Sequence, residues 1–320
     1  MNPDAILIVS FGGPEGMNDI MPFLENVLRG KNVPEERKKE VAQHYEMFAG
    51  ISPINQQNRE LKKLLEIQLL EKGLSIPVFW GNRNWKPYIK DALIEMKADG
   101  IQNVIAYVTS AYGSYSGCRQ YSENIEHARE EIGEGAPVVQ KIPAFYNHPN
   151  FVQVNAEQIQ KEIEKIPVSE RKNTNLIFTA HSIPVSMSEV SPYVNQLQEV
   201  CKSVAEKIGM NQWKLAFQSR SGPPTIPWLE PDIGDYLEEL AKKNVKTVIV
   251  SPIGFLSDHM EVLYDLDIEA KKKSQELGIQ MFRASTPGNH PLMIEMIVEL
   301  IKLQIQNGNS VACAPDCCKK

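Results

Sequence analysis

His181, in the run Thr179-Ala180-His181-Ser182-Ile183-Pro184, and Glu261, in Ser257-Asp258-His259-Met260-Glu261, are the side chains best placed to do chemistry. Imidazole titrates near neutrality and can accept a proton there, while a carboxylate can hold or pass on a cation. Each follows an apolar run, Asn175–Phe178 for the first and Thr247–Pro252 for the second. Parallel α/β proteins gather functional groups at that end of their strands. Brought to one crevice, the two could take protons from a bound molecule and supply it with a cation. A buried imidazole bonded to backbone is the competing reading of His181, and its place straight after a strand favours the base. His259 reads as a support that orients Glu261 rather than a group that merely packs beneath it.

Asp265 and Glu269 follow Glu261 at four-residue intervals, a spacing that lines side chains along one helix face. A plain solvated acidic face, with Asp258-x-x-Glu261 as a capping box, would give the same pattern. Against it, the stripe leaves an apolar strand end, and like charges at this spacing repel unless compensated. A hydrated divalent cation would compensate, since hard cations favour oxygen ligands. The stripe is therefore expected to be a cation path.

Three loops could line a site. Gly12-Gly13-Pro14 matches neither phosphate-loop pattern, and Pro14 lacks the backbone donor such a cradle uses. It reads as a tight turn that brings backbone close to a flat ligand, with an ordinary turn as the alternative. The Pro-rich segment 219–231 reads as a rigid loop in which Trp228 offers a flat apolar face. Residues 111–121 bring Tyr112, Tyr115 and Tyr121 to the end of the third strand. Near the C-terminus, Cys313, Cys317 and Cys318 could hold part of a zinc or iron–sulfur site. Cys118, in a loop, is the favoured fourth ligand over Cys201, whose helix position suggests core packing.

The elements that must position these groups alternate along the chain, as expected of the α/β class. Strands are predicted at Ala5–Ser10, Ile76–Trp80, Asn103–Thr109, Pro137–Ile142, Asn175–Ala180, Trp213–Gln218, Thr247–Pro252 and Ile279–Arg283. Amphipathic helices are predicted at Glu60–Glu71, Ile89–Ala98, Asn124–Ile132, Asn155–Lys165, Val194–Ile208, Ile233–Lys243 and from Glu261 to about Leu277. The halves echo one another: Asn147-His148-Pro149 recurs as Asn289-His290-Pro291, and Gly81-Asn82-Arg83-Asn84 resembles Gln218-Ser219-Arg220-Ser221. Two similar Rossmann-like domains follow, each a four-stranded parallel sheet flanked by helices. They span 1–148 and 149–308, with a Cys-rich tail at 309–320 and a last helix able to pack back on the first domain. Strand ends facing each other would bracket a cleft. By the repeat, His148 and His290 start helices and do no chemistry; His127, on a charged helix face, reads as solvated.

Composition bounds the partners. Asp and Glu number 40 against 34 Lys and Arg, an acidic balance that argues against nucleic acid, whose phosphates call for cations. No apolar stretch reaches bilayer-spanning length, and the N-terminus lacks the basic segment of a secretory signal. The expectation is a cytoplasmic protein, where clustered cysteines more often bind metal than form disulfides.

These segments together resemble the ferrochelatases over almost the whole chain. The resemblance is carried by Ser10-Phe11-Gly12-Gly13-Pro14, Gly50-Ile51-Ser52-Pro53, Ala180-His181-Ser182-Ile183-Pro184 and Gln218-Ser219-Arg220-Ser221-Gly222-Pro223. Pro227-Trp228-Leu229, Pro252-Ile253-Gly254-Phe255 and residues 257–265 add to it. It implies a chelatase-like fold and a lyase that inserts ferrous iron into a porphyrin for heme synthesis. His181 would match the family's proton acceptor and metal-delivering histidine, Glu261 the acid acting with it, and Asp265 and Glu269 the acidic line behind. Phe11, Arg29, Ser52, Tyr121, Ser221 and Trp228 would contact the porphyrin, with Arg29 and Ser52 near its propionates. Phe11 departs from members that carry a tyrosine there, and a phenylalanine cannot ligate iron. The tail would match members that hold a [2Fe–2S] cluster, here on Cys118, Cys313, Cys317 and Cys318, in a structural or sensory role.

Members that take protoporphyrin often present an apolar lip to a membrane, whereas Lys31–Glu40 is strongly charged here. That favours coproporphyrin III, giving coproheme. Protoporphyrin IX, another metal in a related tetrapyrrole, and a non-enzymatic two-domain binder are the alternatives. The resemblance also leaves room for peripheral contact with other heme-pathway enzymes.

Overall fold

The computed structural model describes residues 3–31, 33–223, 225–307 and 318. The chain divides into two compact units. One comprises residues 1–109, 120–143 and 294–315, and the other residues 110–119, 144–293 and 316–320.

In the first unit, β1 (Ala5–Ser10), β2 (Val78–Asn82), β3 (Asn103–Val108) and β4 (Val138–Lys141) form a parallel sheet in the order β2-β1-β3-β4. Every residue of β1 is buried, as it must be in a sheet covered on both faces. Ala5, Leu7 and Val9 join Phe79, Leu93, Met96, Val104 and Ile125 in one apolar core. β2 runs two residues further than the sequence suggests, because Asn82 still pairs with Ser10. Burial of this amide is compensated by hydrogen bonds to Asn55 Oδ1 (3.2 Å) and the Lys86 carbonyl (3.1 Å). The helix Ile54–Glu71 likewise starts before its predicted Glu60. Its polar first turn is held by tertiary bonds, Asn55 donating to the Gly13 carbonyl at 3.0 Å.

The glycines of the first turn are explained by protein packing. A Cβ on Gly12 would lie 2.8 Å from that of Asn82, and one on Gly13 2.6 Å from that of Ser52. Gly12 also has φ of +82°, a region that favours glycine. On their Cβ sides these glycines make room for Asn82 and Ser52, a packing role that stands beside the expected approach to a flat ligand.

The second unit repeats the plan. β5 (Asn175–His181), β6 (Trp213–Gln218), β7 (Thr247–Ser251) and β8 (Gln280–Arg283) pair in parallel in the order β6-β5-β7-β8. Its core includes Ile177, Leu237, Val248, Val250, Leu266 and Met281. The Asn-His-Pro repeats behave as expected: His148 Nδ1 accepts the Asn150 N–H at 3.2 Å, and His290 Nδ1 accepts that of Leu292 at 3.3 Å. Both cap helices, Pro149–Lys165 and Pro291–Asn307. His127 is exposed beside Glu130 and Glu131. Among the described residues, no helix is long and apolar enough to cross a membrane.

Gly254 ties this fold to the site. The loop leaving β7 crosses so close to the end of β5 that a Cβ on Gly254 would lie 2.5 Å from that of Ala180, next to His181. The Gly254 N–H also donates to the Thr179 carbonyl at 3.0 Å. Gly254→Ala should therefore destabilise the protein by about 1–3 kcal/mol through overpacking. Thermal unfolding measures this, and an unchanged melting temperature would show that the crossing is looser than described.

Candidate active site

β5 carries His181 out at its C-terminal end, in register with Gln218 at the end of β6. The backbone there is well held. Tyr193 donates its hydroxyl to the His181 carbonyl at 3.0 Å, and the Ser182 N–H donates to the Gln218 carbonyl at 2.8 Å. Half-buried, the imidazole has its Nδ1 against the Ser182 carbonyl, so Nδ1 carries a proton and donates. Nε2 then faces Glu261 Oε1 at 3.6 Å. In the neutral ring that nitrogen presents a lone pair to a carboxylate, an arrangement that improves when a proton lies between them. Burial opposes charge on His181, but Glu261, the Ser182 carbonyl and Asp265 together hold its pKa above the ordinary histidine value.

Glu261 lies in the first turn of the helical stretch 260–276, which differs from the predicted α-helix. Residues Leu263–Ala270 wind as a π-helix between Met260–Val262 and Lys271–Glu276. π turns bond residue i to i+5 and occur often at functional sites. The start is capped by His259, whose Nδ1 accepts the Glu261 N–H at 3.2 Å. Asp258 is not the cap, because its carboxylate is taken by Arg283 at 2.9 Å. Burial lowers the His259 pKa and keeps the ring neutral, as its accepting nitrogen requires. Phe255 packs edge-on against it at 5.1 Å. The support role read from the sequence agrees with this cap.

Asp265 lies one step behind Glu261. Its Oδ2 accepts from the Ser219 hydroxyl and from Gln218 Nε2 (3.4 Å), while the same Nε2 donates to the Glu261 carbonyl at 2.8 Å. Burial pushes the Asp265 carboxyl up to about 7; Ser219 pulls the other way, and the charges of Glu261 and Glu269 push with burial. A small change nearby can thus move this acid between neutral and anionic at neutral pH. Glu269 is exposed further along. Ser219 sits at φ +62°, a left-handed conformation costly for a non-glycine residue and one found often at functional sites. In the sequence Gln218 and Ser219 stand in an internal echo and in a segment of the family resemblance, without a site role of their own. Gln218's place across the sheet from His181 is the signal that would have singled it out.

The Pro-rich loop is strapped to the His181 segment. Leu229 N–H donates to the Ile183 carbonyl (3.0 Å), Ser182 Oγ donates to the Leu229 carbonyl (2.9 Å), and Pro184 bridges to Trp228. The indole edge of Trp228 packs on Gly222, where a Cβ would lie 2.5 Å from the ring. Ser221 is exposed. In the first unit, Phe11 and Tyr121 share Arg83, whose guanidinium lies 5.8 Å from one ring centre and 4.9 Å from the other. Sequence reasoning did not single out Arg83, which stands against these two expected porphyrin contacts. Ser52 is buried, its N–H on the Pro14 carbonyl at 2.9 Å, and the exposed Arg29 donates to Asn26 at 2.7 Å.

The cysteines are partly placed. Cys118 is buried in a π turn, Tyr115–Arg119, and Cys201 is fully buried on the helix Tyr193–Ile208. Cys318 is buried, its sulfur 3.5 Å from where a Cβ on Gly113 would stand. Cys313 and Cys317 lie outside the described residues. Burial pushes the Cys201 thiol well up, which disfavours the thiolate a metal needs. Among the described residues, no three His, Cys, Asp or Glu side chains converge tightly enough to hold a metal ion. The acidic line is an open series of donors.

The ferrochelatase family profile matches residues 3–305. A ferrochelatase from Rhodopirellula baltica is 50% identical over 327 residues, covering 98% of this chain and 93% of that protein. Coproporphyrin III ferrochelatases from Nocardia farcinica and Streptomyces coelicolor are each 46% identical, over 94% and 93% of this chain and 88% and 84% of their own lengths. Among solved structures, SirB from Bacillus subtilis with Fe3+ aligns with a TM-score of 0.59 at 12% identity, covering 96% of this chain and 97% of that one. That likeness concerns the fold alone, two four-stranded parallel sheets flanked by helices as in chelatases. With the profile matched from the first strand to the last helix and half the residues shared with a named relative, this chain belongs to the ferrochelatase family, lyases that insert a metal into a porphyrin.

Proposed function

We propose that this chain inserts Fe2+ into coproporphyrin III to give coproheme, with His181 and Glu261 as its catalytic residues. The observation that carries the reading is the His181–Glu261 approach at 3.6 Å at a strand end, backed by Asp265. Insertion replaces two pyrrole protons by one cation, so the site must accept protons and donate metal. His181 Nε2 takes the first pyrrole proton and passes it to solvent before taking the second, the adjacent Glu261 carboxylate stabilising the imidazolium each time. Asp265, raised to about 7 mainly by burial, is poised to exchange a proton for a passing cation. Glu269, Asp265 and Glu261 then hand over Fe2+ by oxygen ligands that hold it weakly enough to let it leave. Phe11, Arg29, Ser52, Tyr121, Ser221 and Trp228 are assigned to the porphyrin.

Two observations favour coproporphyrin III. Relatives of that name share 46% of their residues with this chain, and the helix Glu35–Glu46 is charged and exposed, with pairs such as Arg37–Glu40 at 2.8 Å. Protoporphyrin IX is the second reading, favoured by exposed Met17, Met47 and Ile51 (53%, 60% and 51%). A [2Fe–2S] cluster on Cys118, Cys313, Cys317 and Cys318 belongs to the proposal. Cys118 and Cys318 lie in the same unit, and the thiol of Cys201, pushed well up by burial on its helix, argues for Cys118 as the body's ligand. When bound, the cluster would serve a structural or sensory end, since insertion changes no oxidation state.

Absorbance assays of iron insertion should show faster turnover of coproporphyrin III than of protoporphyrin IX. His181→Ala should lose about 10²–10⁴-fold in rate while still binding porphyrin. A preference for protoporphyrin would overturn the substrate, and unaltered turnover by the variant would overturn the role of His181. Purified protein should be red-brown and contain iron with acid-labile sulfide; colourless, sulfide-free protein prepared without oxygen would remove the cluster.

A further inference from the structure

Arg283 closes β8, and its guanidinium grips two carboxylates outside the acidic line. Nε and Nη2 meet Asp267 Oδ1 and Oδ2 at 2.7 and 2.8 Å, and Nη1 meets Asp258 Oδ1 at 2.9 Å. The side chain is only 18% exposed, so this pairing is far less screened than a surface ion pair. The planar fork suits simultaneous grip of two partners in a way an ammonium does not.

The placement of the two carboxylates is what matters. Asp258 lies in the loop immediately before the helical stretch, and Asp267 in the middle of the π segment Leu263–Ala270. A π turn takes up more backbone than an α turn, so one side chain bound at both points sets how many residues wind between them. Those residues include Glu261 and Asp265. Gln218 acts from the other side, bonding the Glu261 carbonyl and the Asp265 carboxylate from the end of β6. As β6 and β8 are the two edges of the sheet, the helix is pinned from both. Lys271 Nζ, on the Met281 carbonyl at 2.8 Å, adds a further tie to β8. Arg283 also neutralises two carboxylates that would otherwise compete for a cation beside the line.

We propose that Arg283 is a positioning residue for metal delivery: its bridge from Asp258 to Asp267 holds the π winding that aligns Glu261 and Asp265. This deepens the iron-insertion reading and rests on it. The test is steady-state insertion kinetics with Fe2+ and porphyrin varied separately. Arg283→Met alone strands two carboxylates and risks misfolding, so it is combined with Asp258→Asn and Asp267→Asn; Arg283→Lys is the second variant. In the triple variant the KM for Fe2+ should rise roughly tenfold or more, as for other changes behind a metal site, with porphyrin affinity unchanged. Arg283→Lys should show a smaller rise, since a point charge cannot hold both carboxylates. A wild-type KM for Fe2+ in either folded variant, or equal losses for both substrates, would overturn the clamp. Wild-type protein that inserts no iron would instead remove the functional reading and the clamp with it.

Discussion

The imidazole of His181 and the carboxylate of Glu261 face each other across 3.6 Å with room for one proton between them, and the proposed chemistry depends on that shared position. Neither group alone would suffice. A half-buried histidine without an anion resists protonation, and an exposed glutamate without a base has no means of clearing protons from an incoming ring. Coupled, the carboxylate helps hold the proton affinity of the imidazole above that of an ordinary histidine, against the effect of burial. The rest of the second unit serves this approach. β5 and β6 end in register to set His181, Gly254 lets the β7 loop pass close beside it, and His259 caps the helix that presents Glu261.

On the proposed reading, Asp265 extends the same logic from protons to metal. Its carboxyl is lifted to about 7 chiefly by burial, so binding a cation there is coupled to releasing a proton. A resident metal site would need a closed set of ligands. Among the described residues the carboxylates form a spaced series and no such closed set. The Ser219 hydroxyl, delivered by a backbone in the left-handed region, keeps Asp265 from becoming a fully neutral acid.

Much of this was legible in the sequence because strong local signals agreed. Buried parallel strands read as continuous apolar runs, and β1 and β6 fall within the residues expected of them. His181 and Glu261 stood out because each follows such a run. Less visible were features set by tertiary contact. Asn55 and Asn82 are polar residues inside a core, tolerated because each finds partners remote in sequence. Asp258 and Glu261 spell a capping box, yet Arg283 claims the first and His259 caps the helix. The four-residue spacing pointed to the right carboxylates but not to π winding, since nothing in Leu263–Ala270 distinguishes it from an α-helix. Gln218 and Arg283 were hidden for a related reason: at a strand's end they read as strand residues, and only the pairing order shows what they reach.

The most direct measurement is a ¹⁵N NMR titration of the His181 ring in the intact protein and in Glu261→Gln. Coupling predicts a neutral form protonated at Nδ1, a pKa above the ordinary histidine value, and a fall in that pKa when the carboxylate is made an amide. A neutral ring protonated at Nε2, or a pKa indifferent to the substitution, would contradict it.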